Sequence, residues 1–520
     1  MAGNLSRVWG LGGDGSGEPP YFLRFRSSKA FICFVVVFAI FTDILLYGLI
    51  VPVTPTALHE RVGLAKEDEQ TWVSILLALY GGALLAFSPV AGYLADRFES
   101  RWWPLIAGLA ALGASTALLC IGTHMGLWIV GRLFQGASAA VVWTVGCALL
   151  VDTVDKEELG QTLGYIGMGM TMGLMGGPLL GGVIYEHGGY YAVFGLAFGI
   201  VALDIVLRIV MIEKKHAAKW TSRPSHEEWL EMRPPSAGTD TVSRLSLSKA
   251  PREHVSRPFT AATAMTADTV TSVGAQSTFS KPILGGEPHA GDTPAEPEPR
   301  KKPVSAIYTL LSSDRILVCI WTYFILSVVL TSLDSVLPLY VSETFNWGQM
   351  GQGLIFIPVT VPHLVDPIVG YINDKHGCLR RYMAAGFLFA TVPVIVLFRL
   401  VTHNSTEQKV LLCALLALLG LCIAVVFPLV MVEVSYVVQE KEDQTPDIFG
   451  KGGAMALAYG ILNSAFAAGT IVGPFFAGYI RQAAGWDTMA WALSVLSGLT
   501  AIPVLFYMGG FVLKPARSSN

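Results

Sequence analysis

Apolar stretches of about 20 residues recur along nearly the whole chain, separated by short polar turns. A helix of that length crosses a hydrocarbon core about 30 Å thick, because each residue adds about 1.5 Å. The pattern therefore predicts twelve transmembrane helices, spans 1 to 12, near residues 31–53, 71–95, 104–122, 127–151, 161–184, 190–212, 316–340, 350–372, 382–402, 410–438, 453–480 and 487–511.

The composition supports this interpretation. Hydrophobic residues make up 53% of the chain and charged residues 14%, against about 25% charged in an average soluble domain. The net charge of −3 provides no basic surface for nucleic acid. The seven cysteines form no paired or metal-binding spacing. We therefore expect an all-α membrane protein embedded in a lipid bilayer, with no metal, no cofactor and no nucleic-acid partner.

A different kind of sequence lies between spans 6 and 7. Residues 213–313 are rich in proline, serine, threonine and charge and have little apolar periodicity, which predicts a disordered loop. The chain is then expected to consist of an N-terminal tail, a six-helix half, this loop, a second six-helix half and a C-terminal tail, at residues 1–30, 31–212, 213–313, 314–511 and 512–520.

The distribution of basic residues predicts the orientation. Lysine and arginine follow spans 2, 6, 8 and 12 and are scarce in the opposite loops, which places both termini and the long loop in the cytoplasm. Asn404 begins an Asn-Ser-Thr sequence between spans 9 and 10, on the opposite side. Such a sequence is an N-glycosylation acceptor, so we expect a glycan at Asn404.

The second half of the chain repeats motifs of the first. GYLADR follows span 2 and GYINDK follows span 8, while GLMGGPLLGG lies in span 5 and GTIVGPFFAG in span 11. Two six-span halves that carry matching motifs are typical of transporters built from parallel repeats.

These motifs, with FTDILLYGLIVPVTP in span 1 and GRLFQGASAA in span 4, resemble the drug/proton antiporter branch of the major facilitator superfamily. Within that branch the chain is most similar to the vesicular amine transporters and their fungal relatives. The resemblance implies the major facilitator fold, with twelve transmembrane helices in two pseudo-symmetric six-helix halves. It also implies transport by alternating access, with export rather than uptake.

The resemblance implies a gating motif in the loops after spans 2 and 8. The first copy has Glu99 and Ser100 where the family signature has a glycine and a base. An aspartate at a helix end is expected to pair with bases on neighbouring helices, as a charge-pair latch that stabilises one access state. The matching residues are Gly92, Asp96, Arg97, Arg101, Gly370, Asp374, Lys375, Arg380 and Arg381.

The repeated glycine motif of spans 5 and 11 corresponds to the antiporter motif of the family. Small residues on one helix face allow backbones to approach closely, and a proline permits a bend. The matching residues are Gly173, Gly177, Pro178, Gly181, Gly182, Gly473 and Pro474.

Ionisable residues at membrane depth are functional candidates, because burying them is costly. Asp43 and Arg132 lie at similar depths in spans 1 and 4, and the resemblance implies proton or substrate coupling for both. Asp334 in span 7 and Asp366 in span 8 are further coupling candidates, although Asp366 could equally have a structural role. Two other sites have simpler interpretations, an intrahelical pair for Asp204 with Arg208 and a solvated position for Glu433.

Departures from the amine transporters affect the expected cargo. Tyr80 replaces a base of span 2, and Phe427 and Asn463 replace acids of spans 10 and 11, which argues against an amine neurotransmitter. Aromatic residues in the spans would suit a bulky organic molecule, with Tyr47, Tyr80, Trp143, Phe427 and Tyr459 as the candidate lining.

The sequence therefore predicts a proton-coupled exporter of a bulky organic compound, acting as a monomer. The plasma membrane is the expected location, with a vacuolar or vesicular membrane as the alternative. A nutrient uptake carrier, a transport-incompetent sensor and a membrane enzyme remain as alternatives. They are disfavoured by the missing sugar-carrier signature after span 6, by the retained charges at Asp43 and Arg132, and by the lack of a catalytic motif.

Overall fold

The computed structural model describes residues 20–51, 53–98, 100–221, 306–450 and 453–510, and these ranges are almost entirely helical. Residues 1–19 of the predicted N-terminal tail, residue 511 and the whole predicted C-terminal tail, 512–520, lie outside the described residues. The same holds for residues 222–305 of the predicted disordered loop.

The twelve predicted spans are confirmed. The described residues contain ten helices long and apolar enough to cross a membrane, and two of them each contain a pair of spans joined at a sharp kink. In order, the spans are Lys29–Ile50, Lys66–Ala95, Trp102–Cys120, Met125–Thr153, 159–188, 190–210, Asp314–Phe345, 349–375, Arg380–Leu397, Thr406–Gln444, 455–484 and 486–507.

A glycine forms the kink in each of the two double-length helices. Gly189 separates spans 5 and 6 with φ 71°, and Gly485 separates spans 11 and 12 with φ 84°. Residues with a side chain rarely adopt these left-handed backbone angles, so glycine allows the chain to reverse within one residue. The two turns occupy equivalent places in the two halves, as the sequence repeats predict.

Span 8 is broken into short pieces instead of forming one continuous helix. Its helical segments are Gln349–Leu354, Ile357–Thr360 and Asp366–Lys375, with a 3₁₀ turn at Val361–Val365. Prolines occur at the start of the last three pieces, where the missing N–H prevents a continuous hydrogen-bond ladder.

The two ends of the predicted disordered loop differ from the prediction. Lys214–Thr221 and Ala306–Leu311 are short helices. The first is held against the end of span 4, because Lys214 donates to the carbonyl oxygen of Thr153 at 3.3 Å and Lys215 pairs with Asp152 at 3.3 Å.

Within each half, glycines bring paired helices into backbone contact. A Cβ added at Gly177 would lie 2.8 Å from the Leu45 carbonyl oxygen of span 1, and one at Gly181 would lie 2.3 Å from that of Leu49. In the second half, a Cβ at Gly473 would lie 2.8 Å from the Val328 carbonyl oxygen of span 7. The repeated glycine motif therefore packs span 5 on span 1 and span 11 on span 7.

The halves meet along two pairs of spans. Span 2 contacts span 11, where Asn463 Nδ2 donates to Ser88 Oγ at 2.9 Å. Span 5 contacts span 8, where a Cβ on Gly164 would lie 2.4 Å from the Asp366 carbonyl oxygen. Both contacts join opposite halves, so they must rearrange if the halves rock against each other.

We expect Gly177→Ala to destabilise the first half by about 1–3 kcal/mol, since the new methyl group would overlap the backbone of span 1. Gly182→Ala is the matched control on the same helix, because a Cβ there meets no atom within 4 Å. Thermal unfolding in detergent measures the difference. Equal unfolding temperatures for the two variants would show that the contact with span 1 is not tight.

Candidate functional site

Asp96 joins the two halves at the face predicted to be cytoplasmic, which we call the gate face. It follows span 2, and its carboxylate accepts hydrogen bonds from the backbone N–H groups of Ala456 at 3.1 Å and Leu457 at 2.8 Å. These residues begin span 11, where the N–H groups lack helical partners and the helix dipole favours negative charge. Arg101 of the same half also donates to Asp96 at 3.0 Å.

The charge of Asp96 reflects opposing effects. Burial raises the pKa of Asp96 to about 6, although Arg101 and the two backbone N–H groups lower it. At neutral pH the carboxylate is therefore ionised, and both of its oxygens remain available as acceptors.

Asp374 makes the equivalent contact in the second half. Its carboxylate accepts hydrogen bonds from the N–H groups of Gly160 at 2.8 Å and Gln161 at 2.9 Å, which begin span 5 of the other half. Gly370 makes this approach possible, because a Cβ there would lie 2.0 Å from the Gly160 carbonyl oxygen. Gly92 has the same role opposite the Ala456 carbonyl oxygen, at 2.4 Å.

The expected charge-pair latch is therefore different in detail. Both aspartates reach the opposite half through backbone N–H groups, whereas the bases of the motif bind within their own half. Arg101 pairs with Asp152 at 3.4 Å, and Arg381 donates to the carbonyl oxygen of Met508 at 2.6 Å. A helix end offers donors at fixed positions, which a flexible basic side chain does not.

Glu433 is fully buried, which contradicts the solvated position expected from its place near the end of span 10. It accepts hydrogen bonds from Arg315 and Arg380, each at 2.7 Å, and from the N–H of Gly509 at 2.7 Å. These contacts tie spans 7, 9, 10 and 12 together.

The remaining two bases of the gating motif, Arg97 and Lys375, lie over the rings of nearby tyrosines.

A third contact between the halves was not predicted. Lys156, in the turn before span 5, pairs with Asp443 at 3.5 Å, and the Tyr436 hydroxyl donates to the Lys156 carbonyl oxygen at 3.2 Å. Both charged side chains are exposed, so the pair adds little stability. Charged loop residues give no sequence signal that distinguishes such a pair from solvated side chains.

A small cavity between the halves has room for about one water molecule. Trp143 and Tyr459 line it as predicted, whereas the predicted Phe427 packs behind it, with its ring 4.7 Å from that of Tyr323. The lining contains no charged side chain and consists of Trp143, Cys147, Tyr323, Met431, Tyr459, Leu462 and Asn463. Apolar side chains that lie in apolar spans give no signal of which face they occupy, which is why Tyr323 and Met431 were missed.

Asp43 lies behind one wall of this cavity. It is fully buried, and its carboxylate faces the side chains of Trp143 and Tyr80. Neither of its oxygens forms a hydrogen bond of normal geometry. Trp143 therefore contacts both the buried carboxylate of Asp43 and the cavity between the halves.

Arg132 does not pair with Asp43, although the two residues lie at similar depths in spans 4 and 1. Its guanidinium donates to Gln135 Oε1 at 3.0 Å and lies 5.8 Å from the centre of the Tyr47 ring. Tyr47 in turn packs against Tyr80, with ring centres 4.6 Å apart. Two aromatic side chains therefore lie between the base and the acid.

The other coupling candidates occupy two different places. Asp334 is exposed and interacts electrostatically with Tyr47 of the other half, so it faces the space between the two halves. Asp366 is fully buried at the contact between spans 5 and 8, where its Oδ2 lies 3.2 Å from His363 Nδ1. A Cβ on Gly167 would lie 2.3 Å from that oxygen.

A profile of the Major Facilitator Superfamily matches residues 36–445 and 364–520. The chain belongs to the Major Facilitator Superfamily. Members of this family are membrane transporters, so this multi-pass protein is a transporter and not an enzyme. Family membership agrees with the repeated gating and glycine motifs and with the two six-helix halves.

Relatives and a solved structure extend this result. The chain is 32% identical to an uncharacterized MFS-type transporter of Schizosaccharomyces pombe over 91% of this chain and 94% of that protein. It is 35% identical to the class B tetracycline resistance protein of Escherichia coli, over 27% of this chain and 34% of that protein. The human organic anion transporter MFSD10 (TETRAN) shares the fold, with 16% identity, a TM-score of 0.58 and coverage of 92% and 99%.

We expect Asp96→Asn and Asp374→Asn each to weaken gate closure by roughly 1–3 kcal/mol. Asparagine replaces one acceptor oxygen with an amide NH2 group, which is a donor facing backbone donors. In a variant that retains only Cys147, which lines the cavity, an impermeant maleimide applied to the gate face should label these variants faster. Asp443→Asn, in the exposed pair, is the control. Labelling at the parent's rate by both gate variants would contradict the latch.

Proposed function

We propose that this transporter exports bulky organic compounds in exchange for protons. The observation that carries the proposal is the fully buried carboxylate of Asp43, which faces Trp143 and Tyr80 and forms no ion pair with any described residue, while Trp143 also lines the space between the halves. An ionised carboxylate without a basic partner is costly to bury, and protonation removes that cost. A proton-dependent charge next to the cargo space is what coupled exchange requires.

The lining of the cavity supports an organic cargo with an extended apolar or aromatic body. Three aromatic rings, a thioether and a thiol surround the space, and Asn463 is the one amide among the lining side chains. Such surfaces bind by contact area and ring stacking, with few polar groups to fix orientation. No acid lines the cavity from spans 10 and 11, which argues against an amine neurotransmitter as the cargo.

The closed gate face supports a cycle of alternating access. In the state described here, Asp96 and Asp374 tie the halves together at that face. Cargo from the cytoplasm would enter when these contacts open and would leave on the other side after they form again. Protons moving in the opposite direction would reset the charge at Asp43, with Arg132, Asp334 and Asp366 as further coupling residues.

Two features support export as the direction. The glycine motif of span 5 packs as a continuous seam on span 1, and in the antiporter branch this motif accompanies export. Among the relatives, one is named a tetracycline resistance protein, and export of a toxic compound by a transporter would produce resistance. For this chain we infer the same direction, with the cargo left at the level of a bulky organic molecule.

We further propose that the protein acts as a monomer in the plasma membrane, with both termini and the gate face in the cytoplasm. Asn404 would then be extracellular, where it is exposed and its amide donates to the Phe345 carbonyl oxygen at 3.2 Å. We expect Asn404→Gln to abolish a glycosidase-sensitive mobility shift on gels. An identical shift in this variant would exclude Asn404 as the acceptor, and a parent without any shift would remove this support for the orientation.

We expect Asp43→Asn to abolish export driven by a pH gradient, because the variant can no longer exchange a proton at this site. Asp43→Glu keeps the carboxyl group and should retain part of the activity. Efflux from cells loaded with a probe panel that includes tetracycline, with and without an uncoupler, measures the effect. Asp487→Asn, at an exposed position, is the control. Undiminished, uncoupler-sensitive export by Asp43→Asn would exclude Asp43 from the proton path.

A further inference from the structure

Asp204 in span 6 is a second carboxylate that is buried without an ion pair among the described residues. It is fully buried, and neither of its oxygens forms a hydrogen bond of normal geometry. The sequence interpretation pairs it with Arg208, one turn along the same helix. Among the described residues, however, Asp204 forms no ion pair within 4 Å.

Arg208 is directed toward other groups. Its guanidinium donates to the Arg101 carbonyl oxygen at 3.3 Å, lies 3.2 Å from the Met211 sulfur and lies 4.0 Å from a carboxylate oxygen of Glu213. It therefore attracts Asp204 electrostatically without satisfying its oxygens. Arg208 therefore offsets only part of the free-energy cost of burying Asp204 as an anion. A structural ion pair would place the base in direct contact with the carboxylate.

The nearest polar groups to Asp204 come from span 1. The Thr42 hydroxyl faces its carboxylate, although that hydroxyl has no hydrogen bond of normal geometry either. Asp43 is the next residue along span 1, and the two carboxylates interact electrostatically. Neighbouring residues on a helix point about 100° apart, so Thr42 faces span 6 while Asp43 faces Trp143 and Tyr80.

We propose that Asp204 is a second proton-binding group, which shares one proton with Asp43. This inference rests on the proposed proton-coupled function. Two carboxylates within electrostatic reach in a low-dielectric interior repel when both are ionised, so the pair is stable with one proton and one negative charge. When the proton leaves the Asp43 carboxyl group, the Asp204 carboxylate takes it up, and the negative charge moves to Asp43.

The position of Asp204 links this pair to the gate. Arg208 bonds the backbone of Arg101, and Arg101 bonds the carboxylate of Asp96 at 3.0 Å. A change of charge at Asp204 therefore acts on Arg208, whose other acidic neighbour is Glu213. The path runs within the first half, from Asp204 to the gate face, and none of its residues lines the cavity.

The test is an infrared titration of the purified full-length chain in detergent, without cargo, that follows the stretching bands of protonated carboxyl groups. Asp204→Asn should lose one titrating band and should shift the midpoint of the remaining Asp43 band by about one pH unit or more. Asp204→Glu should restore two bands. Asp487→Asn, at an exposed site, should titrate like the parent.

A second comparison separates proton binding from simple charge balance with Arg208. If Asp204 only balances that base, Asp204→Asn combined with Arg208→Gln should restore uncoupler-sensitive export and the Asp43 midpoint of the parent. Under our proposal the double variant stays uncoupled. Restoration by the double variant, or an Asp204→Asn variant that titrates and exports like the parent, would overturn the inference.

These outcomes are distinct from failure of the proposed function. If Asp43→Asn loses coupling while Asp204→Asn keeps it, only the second proton site is wrong. If the parent binds no proton in this titration and Asp43→Asn exports normally, proton coupling itself is wrong. Elution volume and thermal unfolding identify any variant that has not folded, and the Asp204→Glu variant then decides the question.

Discussion

The carboxylate that binds the first N–H groups of a helix in the opposite half is the contact on which the described state depends. Asp96 makes it with span 11 and Asp374 makes it with span 5. A charge-assisted hydrogen bond to a helix end is stronger than a neutral one, yet both partners can be hydrated when they separate. The contact is therefore strong enough to hold a gate shut and reversible enough to let it open.

This contact requires that the backbones approach closely. A side chain at Gly92 or Gly370 would overlap the opposite backbone, and Gly460 faces the Ser88 carbonyl oxygen in the same way, at 2.4 Å from an added Cβ. Within each half, the glycines at 177 and 473 give the same closeness to helices that do not need to separate. Glycines therefore occur both where helices of one half stay packed and where the two halves must separate. The carboxylates of Asp96 and Asp374 occur only at the contacts between the halves.

The sequence could predict the spans but only part of the site. Apolar runs determine depth in the membrane, so the bounds agree within about six residues, but the pattern did not predict that Pro358, Pro362 and Pro367 break span 8 inside its bounds. Helices that are apolar on all sides give no periodicity that shows which face is inward. The partners of Glu433, the isolation of Asp204 from Arg208 and the backbone donors for Asp96 depend on neighbours far along the chain, which a local pattern does not contain.

The two halves share a gate, but Glu433 of the second half and the two buried carboxylates of spans 1 and 6 differ in how their charge is stabilised. In the second half, Glu433 is satisfied by Arg315, Arg380 and a backbone N–H, which makes it a structural tie. In the first half, Asp43 and Asp204 are equally buried and lack such partners. Unpaired buried carboxylates are costly, and packing alone gives no reason to retain them. A bound proton removes that cost and its release restores it, which is what the proposed proton exchange requires of Asp43 and Asp204, whereas Glu433 with its basic partners needs no proton to remain buried.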